Sequence, residues 1–328
     1  MVSGILKPCM MFYMVNTKID MDRRNFLKTM GAATAAAAVS EVGLQANTAD
    51  KDKKKAAKKE SGLRVRFLGT GAADWKGPDD RGEHRRLSSV LLDNRILIDF
   101  TPTDADMLPE GCKPECIFYT HSHGDHYNPE ALLKLGVPVA HLGKTWISRA
   151  WKNFTDASAK TGLPVPELIP LSIGETIVSG DIRITALPAN HAINDTEQAL
   201  IYLIEKGPTR VIYATDTGGI MGVAARIVGI DPHVKPGNPI HGLIMEATMG
   251  MGAKGDEDFR IFTHSSVNTV YHTAKMLLKR GRLVMKEGQS VYLTHMARTL
   301  QPTQAELDAT LPAPLKAAYD GLEVVFEA

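Results

Sequence analysis

The feature that most constrains this chain is the segment His121-Ser122-His123-Gly124-Asp125-His126, which follows directly on the apolar run Cys116-Ile117-Phe118-Tyr119-Thr120. Three imidazoles and a carboxylate crowd into one short loop, and few structural roles need that density of metal-binding groups. Neutral imidazole and carboxylate are the usual nitrogen and oxygen donors for zinc and related divalent ions. The preceding run reads as a buried strand, so the loop opens at a strand end. Side chains two residues apart in extended chain project to the same side, which aligns His121 with His123. Gly124 lets the backbone turn tightly and brings Asp125 and His126 to a second position beside the first. The segment holds more donors than one ion takes from a short loop, so it implies two adjacent ions. A polar loop with coincidental histidines is the competing reading, and it does not account for the density.

The chain has 328 residues, with 38 Lys+Arg against 37 Asp+Glu and a formal net charge of +1. That balance argues against a nucleic-acid-binding protein. Residues 1–49 read as an N-terminal extension with an export signal. Arg23-Arg24-Asn25-Phe26-Leu27-Lys28 is a twin-arginine pattern, and the Ala-rich run over 30–39 is too short to span a membrane. A basic arm on a cytoplasmic protein is the alternative; the order of charged pair, apolar run and small polar stretch argues for export. Cleavage is expected after Ala46 or Ala49. Residues 50–61, rich in lysine, read as a solvated linker. Residues 62–328 then form one domain of roughly 265 residues, within reach of a single α/β core and free of internal linkers and short-period repeats. Cys112 and Cys116 lack the spacing of a structural zinc site and form either a disulfide or two thiols.

Alternation of apolar and polar residues predicts a strand over 63–69, followed by a Gly-rich loop. Strands over 88–93 and 95–100 meet at an Asp93-Asn94 turn. After the histidine loop come a helix over 129–135 with Pro near its start, a strand over 137–141 and a helix over 144–154. Further strands are expected over 175–178, 181–187, 199–205 and 209–214. The last third alternates strand (243–246), helix (266–280), strand (291–294), helix (303–311) and strand (322–326). Strand-rich halves with interspersed helices suggest two mixed sheets packed face to face, an α+β arrangement with helices outside.

Metal sites in such a scaffold gather ligands from several strand ends. His191 follows the strand ending at Leu187, Asp216 lies just past the apolar run Ile212-Tyr213-Ala214, and His295 closes Val291-Tyr292-Leu293-Thr294. Each alone is weak, since an Asp after a strand is usually a turn former. Beside the histidine loop they become ligand candidates.

This ordered set resembles the metallo-β-lactamase superfamily over essentially the whole domain from Leu63. The resemblance implies a four-layer αββα sandwich with metals at the sheet edges. By it, His121, His123 and His191 would hold one ion and Asp125, His126 and His295 the other, with Asp216 and a hydroxide bridging. No cysteine stands among these positions, which resembles the phosphodiesterase and lactonase branches. Phe67-Leu68-Gly69-Thr70-Gly71-Ala72, Arg85-Arg86-Leu87-Ser88-Ser89, Met245-Glu246-Ala247-Thr248, His264-Ser265-Ser266 and Tyr292-Leu293-Thr294-His295 resemble segments of the ribonuclease Z group. The cyclic-phosphate phosphodiesterase of phosphonate degradation is a smaller relative. Two departures stand out. The Gly/Pro-rich basic arm that clasps tRNA has no counterpart, and His126-Tyr127-Asn128-Pro129 lacks the glycine usual past the cluster. The branch chemistry therefore carries over to this chain and the tRNA substrate does not.

The expected function is an exported hydrolase with two divalent ions, zinc first, with manganese or iron as alternatives. The expected substrate is a small phosphodiester. Metal-bridged hydroxide is the nucleophile, and Asp125 accepts a hydrogen bond from it. His264 is the candidate general acid, oriented by Glu246. Capping of the helix near Ser266 competes for His264, although Thr263, Ser265 and Ser266 are the better caps. Arg85 and Arg86 are candidates for binding a substrate anion, with surface salt bridges as the alternative. A lactonase or other carbonyl-ester hydrolase is the alternative function, and a non-enzymatic metal-binding or sensor protein the third. The expected partners are a small-molecule substrate and the twin-arginine export machinery, with a homo-oligomer left open and no nucleic acid.

Overall fold

The structure is a computed structural model and describes residues 62–233, 235, 237–252 and 259–328. The export signal and the lysine-rich linker lie outside these residues. Two seven-stranded sheets make up the domain. The first has the order β14-β1-β2-β3-β4-β5-β6, with β1 Leu63–Gly69, β2 Ser89–Leu92, β3 Ile96–Ile98, β4 Cys116–Phe118, β5 Val139–Gly143, β6 Glu167–Leu171 and β14 Glu323–Phe326. The second has the order β13-β12-β11-β10-β9-β8-β7, with β7 Thr176–Ser179, β8 Ile182–Pro188, β9 Leu200–Lys206, β10 Thr209–Ala214, β11 Gly242–Glu246, β12 Val291–Thr294 and β13 Leu315–Ala317.

The core falls into three apolar layers. Inward side chains of both sheets, among them Phe67, Ile98, Phe118, Tyr202, Tyr213 and Ile244, form the layer between them. The outer face of the first sheet packs Leu91, Leu97, Ile117 and Leu142 against α1 (Pro129–Leu135) and α2 (Ile147–Thr161). The outer face of the second packs Ile212, Leu243, Met245 and Leu293 against α3 (Gly222–Val228), α4 (Val267–Lys279) and α5 (Gln304–Thr310). The result is the expected αββα sandwich. Both faces of each sheet are covered, so the central strands read as nearly continuous apolar runs. Each fully buried Leu, Ile or Phe contributes about 1.5–3 kcal/mol.

Local chemistry sets the element ends near the site. Asp93 and Asn94 both adopt positive φ (47° and 57°), closing the β2–β3 hairpin at the expected turn. Asn128 accepts from the Ala131 amide at 2.9 Å and Pro129 follows it, so α1 starts directly after the histidine loop. Some expectations needed correction. The strand over 95–100 stops at Ile98, because Asp99 turns the chain at φ 57°. β6, α3 and β13 have no counterpart in the sequence reading. Cys112 and Cys116 are two thiols; Cys112 Sγ donates to the Asn94 carbonyl at 3.4 Å, and Cys116 is buried in β4.

Candidate metal centre

Strand ends deliver the candidate residues to one edge. β10, β11 and β12 run parallel as neighbours, so Asp216, Glu246 and His295 emerge at the same end. The histidine loop leaves β4, and His191 lies just past β8. Asp99, Asp216 and His295 have φ of 57°, 45° and 50°. Left-handed backbone at a non-glycine residue costs roughly 1–3 kcal/mol and persists where the surroundings over-determine it. All three sit one or two residues past a strand, where the sharp turn aims the side chain back toward the sheet edge.

The structure gathers all seven expected ligands. His123 Nδ1 lies 2.9 Å from His121 Nε2 and 3.2 Å from His191 Nε2. In the second group, His295 Nε2 lies 3.2 Å from His126 Nε2 and 3.3 Å from Asp125 Oδ2. Donor atoms 2.0–2.1 Å from a tetrahedral zinc would sit about 3.3 Å apart, so both groups have the spacing that an ion requires. Asp216 lies between them. Its Oδ2 is 2.7 Å from His126 Nε2 and 3.2 Å from His295 Nε2, while Oδ1 is 3.8 Å from His191 Nε2. Oδ2 is buried without an aligned hydrogen-bond donor, which suits a carboxylate made to meet a cation.

Hydrogen bonds fix the ring tautomers. Asp99 accepts from His126 Nδ1 at 2.7 Å. The Thr120 hydroxyl donates to Asp99 at 2.7 Å and so accepts from His121 Nδ1 at 3.0 Å. Thr248 donates to Glu246 and accepts from His295 Nδ1 at 2.8 Å. His191 Nδ1 donates to the Thr263 carbonyl at 3.3 Å. In each neutral ring the Nδ1 proton is engaged and Nε2 keeps its lone pair for the centre, the outer hydrogen bonding found around metal ligands. Ser122 is pinned as well: its amide and hydroxyl donate to buried Glu197 at 2.8 and 2.7 Å, and Arg149 pairs with the same carboxylate.

The electrostatics call for positive charge. Burial would raise Asp216, yet His295, His126 and His121 hold it well below the usual carboxylate value. Asp125 is likewise held low, His126 overcoming burial. Burial would lower His126, but Asp216, Asp125 and Asp99 push it well above an ordinary imidazole. Burial, then the neighbouring His126, holds His121 well down, and burial lowers His191.

His264 and Glu246 form the adjoining unit. Glu246 is fully buried and accepts from His264 Nδ1 at 3.0 Å. Thr217 N and Thr248 Oγ1 also donate to Glu246. Burial lowers His264, but Glu246 and then Asp216 outweigh it and raise the imidazole to about 9 in the metal-free chain. Ser266 is the N-cap of α4, accepting from Thr269 N at 3.2 Å, so His264 has no capping duty.

Arg85 and Arg86 correct an expectation: neither lines the cleft over the cluster. Arg85 is buried and donates to Thr70 Oγ1, the Ala318 carbonyl and Gln304 Oε1 at 2.7–2.8 Å. Arg86 pairs with Asp106 and Asp320. Both guanidinium groups fasten the β1–β2 connection to the C-terminal segment and the Pro102–Met107 turn. Sequence reasoning missed the parts played by Asp99, Thr120, Thr248 and Glu197. A carboxylate directly after an apolar strand is the available signal for Asp99, and Thr248 stands in the Met245-Glu246-Ala247-Thr248 segment; Thr120 and Glu197 carry none.

The profile of the beta-lactamase superfamily domain matches residues 94–296, and that of the twin-arginine translocation signal matches residues 20–40. The chain therefore carries an address for export across the cytoplasmic membrane by the twin-arginine machinery. Zinc-bound PqqB from Methylobacterium extorquens superposes with a TM-score of 0.58 at 16% identity, covering 80% of this chain and 99% of that one. The metallo-beta-lactamase fold protein YhfI from Bacillus subtilis gives 0.56 at 14% identity, covering 81% and 100%. A long form ribonuclease Z from yeast gives 0.53 at 14% identity over 83% of this chain and 42% of that one. A comparison with curated protein sequences finds no match.

Proposed function

This chain belongs to the beta-lactamase superfamily, and from that premise we propose that it is an exported phosphodiesterase of small molecules that uses two divalent ions, zinc first. His121, His123 and His191 would hold one ion and Asp125, His126 and His295 the other, with Asp216 between the two groups. Such a pair of ions supplies water of lowered pKa and neutralises charge on phosphoryl oxygens.

The residues around the ions do the remaining work. Asp125 orients the attacking water by accepting its hydrogen bond. His264 delivers a proton from Nε2 to the departing alkoxide. Its Nδ1 proton is committed to Glu246, which selects the tautomer and favours the cationic ring. The same commitment argues against a ligand role for His264, although its nitrogen groups with donors of Asp216 and His191.

The observation that carries the phosphodiester reading is this 3.0 Å His264–Glu246 contact beside the donor cluster. A poor alkoxide leaving group needs an acid, and a lactone hydrolase on the same ligands has less use for one. Purified protein loaded with zinc, then with manganese, is to be assayed on a model diester and a lactone panel. Diester turnover supports the reading; turnover of lactones alone overturns it.

A further inference from the structure

The reaction centre leaves little room. The cleft over the donor cluster is about 180 Å³, and Ala72, Ala73, Asp74, Arg260 and His264 are among its walls. Sites that take a whole drug-sized ligand run to roughly 300–1,000 Å³. The cleft therefore takes a reacting head group, and the rest of a substrate lies on the rim.

One wall differs from the others. Arg260 is the single arginine or lysine among the described residues lining the cleft. It is half-buried and lines the cleft together with His264. Asp74 is already occupied, accepting from Arg298 N at 2.8 Å and from Thr299 N and Oγ1 at 3.2 Å. Arg260 belongs to the 3-10 turn Phe259–Phe262, and both terminal phenylalanines are exposed, 80% and 77%. Residues three apart on a 3-10 turn eclipse one another, so the two rings share a face.

This turn is fastened to the centre. The Arg260 carbonyl accepts from His264 N at 2.8 Å and Thr263 N at 2.9 Å. The Phe262 carbonyl accepts from Asn190 Nδ2 at 3.0 Å, and the next carbonyl, of Thr263, accepts from His191 Nδ1. Arg260 lines the cleft, and the two exposed rings flank it in sequence on the same tethered turn, outside the lining itself, which makes the rim a contact surface.

We propose that Phe259, Arg260 and Phe262 form the substrate-recognition wall of this cleft, Arg260 gripping an anionic head group and the two rings covering an aromatic or apolar substituent next to it. The inference rests on the hydrolase reading and names its substrate class: a phosphoester whose anion adjoins an aryl or alkyl group. The guanidinium fork matches two oxygens of such an anion.

The test is calorimetric binding of phenylphosphonate and methylphosphonate to the zinc-loaded full-length protein. Neither probe can turn over. Phenylphosphonate is expected to bind about tenfold tighter, the scale of an aromatic contact. The double variant Phe259→Ala/Phe262→Ala is expected to erase that ratio and leave methylphosphonate affinity unchanged. Arg260→Ala is expected to weaken both probes by about tenfold or more, with partial recovery in Arg260→Lys. Equal affinities in the wild type, or a ratio that survives loss of both rings, overturns the inference. So does a change of oligomeric state in the double variant with the ratio intact, since the rings would then face a second copy. Bis(4-nitrophenyl) phosphate turnover is read separately. Its absence with the binding ratio present defeats the diester reading and leaves the recognition wall standing; its presence without the ratio does the reverse.

Discussion

The two halves of the site use the same side chain in opposite ways. In the donor half, the Nδ1 proton of His126, His121, His295 or His191 goes to a carboxylate, a hydroxyl or a carbonyl outside the centre. The bare Nε2 then faces inward, as the proposed donor role requires. In the other half, His264 spends its Nδ1 proton directly on buried Glu246, and in the proposed mechanism it gives its Nε2 proton away. Asp99 gives His126 a carboxylate partner too, so the roles are separated by the nitrogen that meets the cluster: His126 presents Nε2 to Asp216 at 2.7 Å, whereas the His264 nitrogen 3.6 Å from Asp216 is the Nδ1 bound to Glu246. Glu246 serves both halves, touching His264 directly and His295 through Thr248.

The largest expected effect attacks the donor half at its shared oxygen pair. Asp216→Ala is expected to lose bound metal by elemental analysis, with turnover falling to the level of the metal-free chain. Full occupancy in that variant would remove Asp216 from the centre. A smaller effect is expected one layer out. Asp99→Asn keeps the shape but weakens the anchor of His126 Nδ1, and metal affinity measured by competition with a chelator should fall about 10–100-fold. Unchanged affinity would make Asp99 a turn former only. The smallest effect belongs to an arginine outside the cleft. Arg86→Ala breaks a half-exposed pair with Asp106 and should cost about 0–1 kcal/mol of stability, read by denaturant titration, with turnover untouched. A loss of turnover would return Arg86 to the site.

Much of this centre was legible in the sequence because its donors are local or follow strong strand signals. β1, β10, β12 and α1 fall where alternation, apolar runs and a proline start place them. The elements that escaped notice lack those signals. β6 and β13 are edge strands, the first with Pro170 inside it and the second directly after Pro314, and proline in a short run argues against a strand. α3 is only seven residues long, comes shortly after Gly218-Gly219 and itself begins at Gly222. The hydrogen-bonding shell was hidden for another reason. Asp99 meets His126 across 27 residues, and Thr248 meets His295 across 47. Only the packed sheet edges create those partnerships. Arg85 and Arg86 show the converse: a conspicuous pair in the sequence, drawn off by Gln304, Asp106 and Asp320 once the chain folds.

The most direct test of the division between donor and acid is His264→Ala, with metal content and turnover measured on one preparation. Metal content is expected to match the wild type. Turnover of a diester with an unactivated alkoxide should fall roughly 10²–10⁴-fold, the scale of lost general acid catalysis. The pH profile supplies the signature. A raised imidazole pKa means the acid form persists through neutral pH and is lost as pH rises. Wild-type activity should therefore decline on the alkaline side, at or below about 9 because a bound cation draws the ring down from its metal-free value. That decline should vanish in the variant. Loss of metal from His264→Ala, or wild-type turnover with the alkaline limb intact, would contradict the account.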